Sequence, residues 1–198
     1  MTSVSEPARA QDEFEALFQP ILGMAYGTAV RLTRDRTEAE DLVQDAALLA
    51  FRAFGSFQPG TNFKAWFFRI LTNAFYSRHR KTKHERNNLS TEDLPALYLY
   101  GKTAEMGLHS QEPDPAAAMM DRLDSEHVTE ALDALPDEYR VVASLYFIED
   151  FSYQQIADVV GCPVGTVRSR LHRGRRMLQK SLWRVAQERG IVPADPVH

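Results

Sequence analysis

The sequence predicts an all-α protein built from two small helical domains. Apolar residues recur at helical spacing in both halves of the 198-residue chain, and nowhere do β-branched residues alternate with period two as a half-buried strand requires. Between the halves, from about Asn87 to Pro115, the periodicity is lost and Pro95, Gly101, Gly107, Pro113 and Pro115 punctuate an acidic, polar stretch that reads as a tether.

Three amphipathic helices are expected in the first half. Their stripes are Phe14, Leu17, Phe18, Ile21, Leu22 and Ala25; then Ala39, Leu42, Val43, Ala46, Leu49 and Ala50; then Phe63, Trp66, Phe67, Ile70 and Leu71. Pro20 should kink the first helix or start it afresh. Thr37, with Glu40 three residues later, has the pattern of a capping box, while Gly55, Pro59 and Gly60 interrupt the periodicity before the third stripe. After the tether, helices are expected near Ala116 to Ala134 and Asp137 to Glu149. Ser152 and Gln155 form a second capping box that opens a short helix running to Gly161-Cys162-Pro163, and a longer helix continues from Val164 toward Gln187. Helix, tight turn, helix is the expected motif.

Composition narrows the function. Hydrophobic residues make up 44% and charged residues 25%, and no apolar run approaches the roughly 18 residues of a membrane span, so no membrane insertion is expected. The first residues lack a secretory pattern, which points to a cytoplasmic protein. With Cys162 as the one cysteine there is no intramolecular disulfide and no thiol pair for structural zinc; at the turn it reads as a small packing residue. His79, His84, His109 and His127 are not spaced as metal ligands, and no Ser/His/Asp or phosphate-loop arrangement appears. No metal, no cofactor and no enzymatic activity are expected.

The net charge of −4 conceals a segregation. Residues 64–86 carry seven Lys/Arg and one Asp/Glu, and 164–189 carry eight and one, whereas 87–150 carry three and fourteen. Lys and Arg that neutralise phosphates supply much of the affinity for DNA, so two separated basic blocks suggest two contacts with nucleic acid; solvated helix faces are the plainer reading of charge alone. The helical wheel of the last helix sharpens the choice. With Val167 as origin, Val164, Leu171, Gly174 and Leu178 fall within about 60°, a packing stripe in which Gly174 permits close approach of a neighbouring helix. Arg168, Ser169, His172, Arg173, Arg176 and Lys180 fall on an outward polar face with no acidic residue. In a helix-turn-helix the start of the second helix meets base edges, which makes Arg168, Ser169, His172 and Arg173 the base-reading candidates; Arg176 and Lys180 are expected on phosphates.

These residues carry a resemblance. SYQQIADVVGCPVGTVRSRLHRGRRML, residues 152–178, resembles domain 4 of the extracytoplasmic-function (ECF) sigma factors of the sigma-70 family, and DLVQDAALLAFRAFGSFQPGTNFKAWFFRILTNAFYSRHRK, residues 41–81, resembles their domain 2. The resemblance implies a domain 2 over 11–86, a linker over 87–115 and a domain 4 over 116–189. It implies a factor giving promoter specificity to bacterial RNA polymerase, with domain 2 opening and holding the −10 element as a single strand and domain 4 reading the −35 element as duplex. A stress-response regulon and an anti-sigma factor as inhibitory partner are further implications; the apolar patch Leu94 to Tyr100 in the tether is a candidate inhibitor contact.

On this resemblance Asp41, Gln44, Asp45, Leu48 and Arg52, which lie opposite the apolar stripe of their helix, dock on the clamp helices of the RNA polymerase core enzyme. The loop Phe57 to Asn62 can enclose an unstacked base, with Gly60, Thr61, Asn62 and Asn73 reading base edges and Lys64, Arg69, Arg78 and Arg80 holding phosphates. Trp66 falls on the apolar stripe, which favours core packing, and stays as a candidate for stacking. His172 stands where relatives often carry an aromatic or another residue, so the −35 sequence cannot be copied from a relative. A stand-alone helix-turn-helix regulator is the alternative, but it would leave 41–81 unexplained.

Overall fold

The computed structural model describes residues 6–86 and 125–188, and side chains over 9–79 and 127–182. The predicted tether, its Leu94–Tyr100 patch and residues 116–124 of the predicted fourth helix lie outside the described residues. Among those described, every regular element is helical, and the helices form two compact units.

In the first unit, α1 (Glu6–Phe18) and α2 (Leu22–Thr33) are joined by a 3₁₀ turn, Gln19–Ile21. Pro20 sits at the start of that turn, where its missing N–H costs no helical bond, so the chain restarts as expected. α2 ends at Arg34 in the left-handed region (φ 61°), whose N–H donates to the Val30 carbonyl at 2.8 Å. The reversal places Asp35 in extended conformation, and its Oδ1 accepts from the Glu38 N–H at 2.9 Å to open α3 (Arg36–Ala53). The expected Thr37–Glu40 box is therefore corrected. Thr37 already lies inside the first turn, and the better-placed carboxylate caps the helix two residues earlier.

A second 3₁₀ turn, Phe54–Ser56, leads to the loop before α4 (Phe63–Arg86). α2 packs on α3, and α3 on α4. Ala25, Ala29, Ala39, Ala46 and Ala50 are all fully buried, so a run of methyl groups, with Leu32, Leu42 and Val43 buried beside it, lines the inner faces of α2 and α3. That narrow alanine seam leaves the edges of the predicted stripes outside: Leu17, Leu22 and Leu49 are exposed rather than core. The remaining volume is filled by aromatics. Phe14 touches the rings of Phe18, Phe51, Phe54 and Phe63 at 5.4 to 5.9 Å, and Phe67, Phe68 and Leu71 are fully buried.

The second unit holds α5 (Ser125–Asp133), α6 (Asp137–Phe147), the greater part of α7 (Tyr153–Val160), and α8 (Val164–Glu188). α8 packs on both α5 and α6 over a core of Val128, Leu132, Leu135, Ala143, Leu178 and Leu182. Buried Arg140 ties the α5–α6 turn: Nη1 donates to the carbonyls of Leu135 (3.1 Å) and Asp133 (3.5 Å), and Nη2 to Asp137 Oδ1 (2.6 Å). A buried cation is tolerable because the turn carbonyls and a carboxylate receive it.

The helix-turn-helix follows from local chemistry. The Ser152 N–H donates to Gln155 Oε1 (2.8 Å) while the Gln155 N–H donates to Ser152 Oγ (3.3 Å), the reciprocal capping box expected from the sequence. α7 ends at Gly161, whose φ of 69° suits a residue without Cβ, and the Cys162 N–H returns to the Ala157 carbonyl at 3.1 Å. The Pro163 carbonyl then accepts from Thr166 and Val167, starting α8. Val167 and Leu171 are fully buried, whereas Val164, at the helix start, is only half-buried.

Candidate nucleic-acid interface and partner face

On α8 the polar face is partitioned by its neighbours. His172, Arg176 and Lys180 are exposed, and Arg168, Ser169 and Arg173 are half-buried. The Ser169 hydroxyl donates to the Thr166 carbonyl at 2.9 Å, which commits its proton to the helix and leaves the oxygen as an acceptor. Arg173 Nη1 donates to the Tyr139 hydroxyl at 3.4 Å, so this base-reading candidate is held from α6.

Two further arginines of α8, absent from the outward face on the wheel, flank the packing stripe and turn into the unit. Arg170 faces Glu138 at 4.0 Å. Arg175 lies 4.9 Å from the centroid of Tyr146 and donates from Nη2 to the Tyr153 hydroxyl at 3.0 Å. Glu138, Tyr146 and Tyr153, which hold these cations, do not stand out in the sequence. The available signal is the position of Arg170 and Arg175 at the stripe's edges, where a long side chain meets a neighbouring helix.

In the first unit the loop before α4 is shaped by its own side chains. Gly60 adopts φ 85°, and the Thr61 hydroxyl donates to the Gln58 carbonyl at 2.7 Å. Asn62 Oδ1 accepts from the Ala65 N–H at 3.1 Å, making Asn62 the cap of α4 and leaving its amide NH₂ as the chemically suitable group toward a base. All three residues are exposed. Trp66 is half-buried against Phe57 (5.2 Å) and Phe63 (5.5 Å), in keeping with its packing role.

At 100° per residue, Asn62, Trp66, Arg69 and Asn73 fall within about 60° of one another, so the loop and one face of α4 form a continuous strip. Arg69 and Asn73 are exposed on it. Lys64 and Arg78 are not. Lys64 Nζ sits 5.7 Å over the Phe68 ring. Arg78 turns to α3, where Nη2 donates to the Asp41 carbonyl (3.1 Å) and pairs with the Asp45 carboxylate. The side chain of Arg80 lies outside those described.

Asp41, Gln44, Asp45, Leu48 and Arg52 all stand exposed on α3, Leu48 at 56%. Leu49 (47%) and Phe51 (43%) extend the apolar part of that surface beyond the one leucine expected from the sequence. Among the described residues no group of three His, Cys, Asp or Glu could hold a metal ion, and no helix is long and apolar enough to cross a membrane.

Two family models match: Sigma-70 region 2 over residues 17–85, and Sigma-70, region 4, over residues 125–178. The ECF RNA polymerase sigma factor EcfG of Rhodopseudomonas palustris is 38% identical over 78% of this chain and 77% of its own length. SigW of Bacillus subtilis is 31% identical over 87% and 90%. SigE of Mycolicibacterium smegmatis is 34% identical over 90% of this chain, which spans 65% of that longer protein. Among solved structures, the sigma factor RpoE of Bartonella quintana, in complex with the anti-sigma factor NepR, superposes with a TM-score of 0.60 at 31% identity, covering 85% of this chain and 98% of that one.

Proposed function

We infer the function from one premise: this chain belongs to the extracytoplasmic-function sigma factors of the sigma-70 family. It is a promoter-specificity factor that joins bacterial core RNA polymerase and directs transcription initiation. The observation that carries this reading is the presence of a region-2 and a region-4 module in one chain, in family order. A stand-alone regulator needs only the second.

In this reading, residues 11–86 form the domain that engages polymerase and the −10 strand, 87–115 the linker, and 116–189 the −35 reader. The exposed α3 surface of Asp41, Gln44, Asp45, Leu48 and Arg52 meets the clamp helices. Gly60, Thr61, Asn62, Arg69 and Asn73, with Trp66 behind them, receive the melted strand, and Arg80 is assigned to its phosphates. Lys64 and Arg78 serve this strip less directly, because each is turned toward a neighbouring side chain. Arg168, Ser169, His172 and Arg173 read duplex bases while Arg176 and Lys180 take phosphates. The factor acts in the cytoplasm, at a stress-response regulon, and contributes no bond-making step of its own. An anti-sigma factor is its restraining partner, a class supported by the complex that the RpoE relative forms with NepR.

The test is reconstitution. Purified chain added to bacterial core polymerase should co-elute with it and should start RNA at a restricted set of sites in a fragmented genomic library. Failure to associate, or holoenzyme that starts no RNA on any template, overturns the reading. Specific footprints made by the chain without polymerase would favour the stand-alone regulator instead.

A further inference from the structure

Of the α8 arginines whose side chains are described, Arg175 is the one most enclosed by aromatic rings. Its guanidinium carbon lies 4.9 Å from the ring centre of Tyr146, 5.8 Å from Phe147 and 6.0 Å from Tyr153. The three rings brace one another, Tyr146 against Phe147 at 5.0 Å edge to face and Tyr146 against Tyr153 at 5.4 Å. Nη2 then donates to the Tyr153 hydroxyl at 3.0 Å. This one side chain joins three elements: the end of α6, which carries Tyr146 and Phe147; the first residue of α7, Tyr153; and the middle of α8.

The apolar stripe of α8, with Val167, Leu171, Leu178 and Leu182 buried, supplies adhesion but little directional restraint, since dispersion and burial tolerate small rotations of a helix about its axis. A planar cation seated on ring faces and hydrogen-bonded to a fixed hydroxyl is directional. It sits one helical turn beyond His172, close enough that a rotation it permits would swing the base-reading side chains off their edges.

We propose that Arg175 is a positioning residue for promoter reading: its aromatic seat fixes the rotation of the recognition helix, and the side chain does not take a DNA phosphate. The inference rests on the reading of α8 as the duplex-DNA recognition helix. It departs from the simplest account of a basic helix, in which every arginine meets the backbone of the DNA.

The experiment uses the full-length chain as holoenzyme and a duplex recovered by wild-type holoenzyme from a random-sequence pool. Affinities for that duplex and for a scrambled one are measured over a range of salt for wild type, Arg175→Ala, Arg175→Lys and Tyr153→Phe. Wild type that selects no duplex overturns the reading of α8 itself, before the variants are considered. If wild type selects one, Arg175→Ala should lower the ratio of selected to scrambled affinity roughly five- to tenfold while leaving the salt slope unchanged. Lysine should not rescue the ratio, because it lacks the planar face. Tyr153→Phe, which keeps the ring and the fold, should lower the ratio in the same direction at an unchanged melting temperature.

A slope reduced by about 0.9 in Arg175→Ala and restored by lysine would make Arg175 a phosphate contact and overturn the proposal. So would an unchanged ratio in both Arg175→Lys and Tyr153→Phe, whether or not the alanine variant folds.

Discussion

The Tyr139 hydroxyl lies 3.4 Å from Nη1 of Arg173, so a residue of α6 reaches the face of α8 that is proposed to read bases. At that length the contact steers the guanidinium more than it anchors it. Replacing Arg173 by Ala should cost about 1 to 3 kcal/mol of promoter affinity and relax selection at one −35 position. Tyr139→Phe should have a smaller effect at the same position, about 0.5 to 1 kcal/mol, because it removes the steering bond alone. Holoenzyme affinities for duplexes altered one base pair at a time separate the cases. Uniform weakening on every duplex would mean that Arg173 contacts phosphate.

Gly174 sits against the same tyrosine, so a neighbouring helix does come near it, but not so near that glycine is required. A Cβ built at Gly174 would lie 3.6 Å from Tyr139 Cβ and 3.9 Å from its carbonyl oxygen, ordinary van der Waals distances. Nothing at this position demands glycine, while glycine inside a helix costs backbone entropy. Gly174→Ala should therefore raise the stability of the chain by up to about 1 kcal/mol. The denaturant midpoint reads this directly, and a lower midpoint would show that the α6–α8 contact has no slack.

How much of this could be read from residues alone depends on the range of the interaction. The helices, the Ser152–Gln155 box and the Gly161 turn are set by contacts within a few residues, and each carries a local signature. Asp35 and Thr37 cannot be told apart by residue type, since both kinds cap helices, and the left-handed turn at Arg34 decides for Asp35. Leu17, Leu22 and Leu49 match the period of their stripes but not the width of the alanine seam, which only packing reveals. Arg78 is the plainest case of information absent from local sequence, since its partner Asp45 lies 33 residues away on another helix. The outward face of α8 is legible as a set, yet which of its cations are held from behind depends on Glu138, Tyr139, Tyr146 and Tyr153, brought there by the fold.

Arg78 makes the partition of the first unit testable. Its pairing with Asp45 and the Asp41 carbonyl is solvent-accessible, of the kind worth at most about 1 kcal/mol. Because the side chain faces α3, Arg78→Ala should leave the salt dependence of binding to single-stranded −10 DNA unchanged. Arg69→Ala, on the exposed strip, should lower that slope by about 0.7, the increment for one phosphate of a single strand no longer neutralised. Holoenzyme titrations over a salt series with a single-stranded oligonucleotide compare the two, and a reduced slope for Arg78→Ala would return that residue to the nucleic-acid interface.

Leu48 is the sharpest probe of the partner face. At 56% exposure it contributes nothing decisive to its own core, so Leu48→Asp should leave the thermal midpoint within about a degree or two of wild type. Placing a carboxylate at the centre of a docking surface should, by contrast, lower the affinity for core polymerase by at least about tenfold, the effect of a modest interface hot spot. Binding competition against wild-type chain for core enzyme measures this. Equal competition by the two chains would remove α3 from the polymerase contact.

Cys162 closes the α7–α8 turn by donating its N–H to the Ala157 carbonyl, and its thiol is half-buried there. Burial pushes the thiol pKa above its ordinary value, opposed more weakly by the Arg170 charge nearby. The sign follows directly: raising the pKa of an acid lowers its ionised fraction at a given pH, and the thiolate is the nucleophile. At neutral pH Cys162 should therefore be alkylated by iodoacetamide more slowly than glutathione, and the rate should still be climbing at pH values where glutathione has levelled off. Cys162→Ser should preserve promoter selection by holoenzyme, because the backbone bond that forms the turn does not involve the sulfur. Rapid labelling at neutral pH would instead place the thiol in solvent and beyond the influence of the turn.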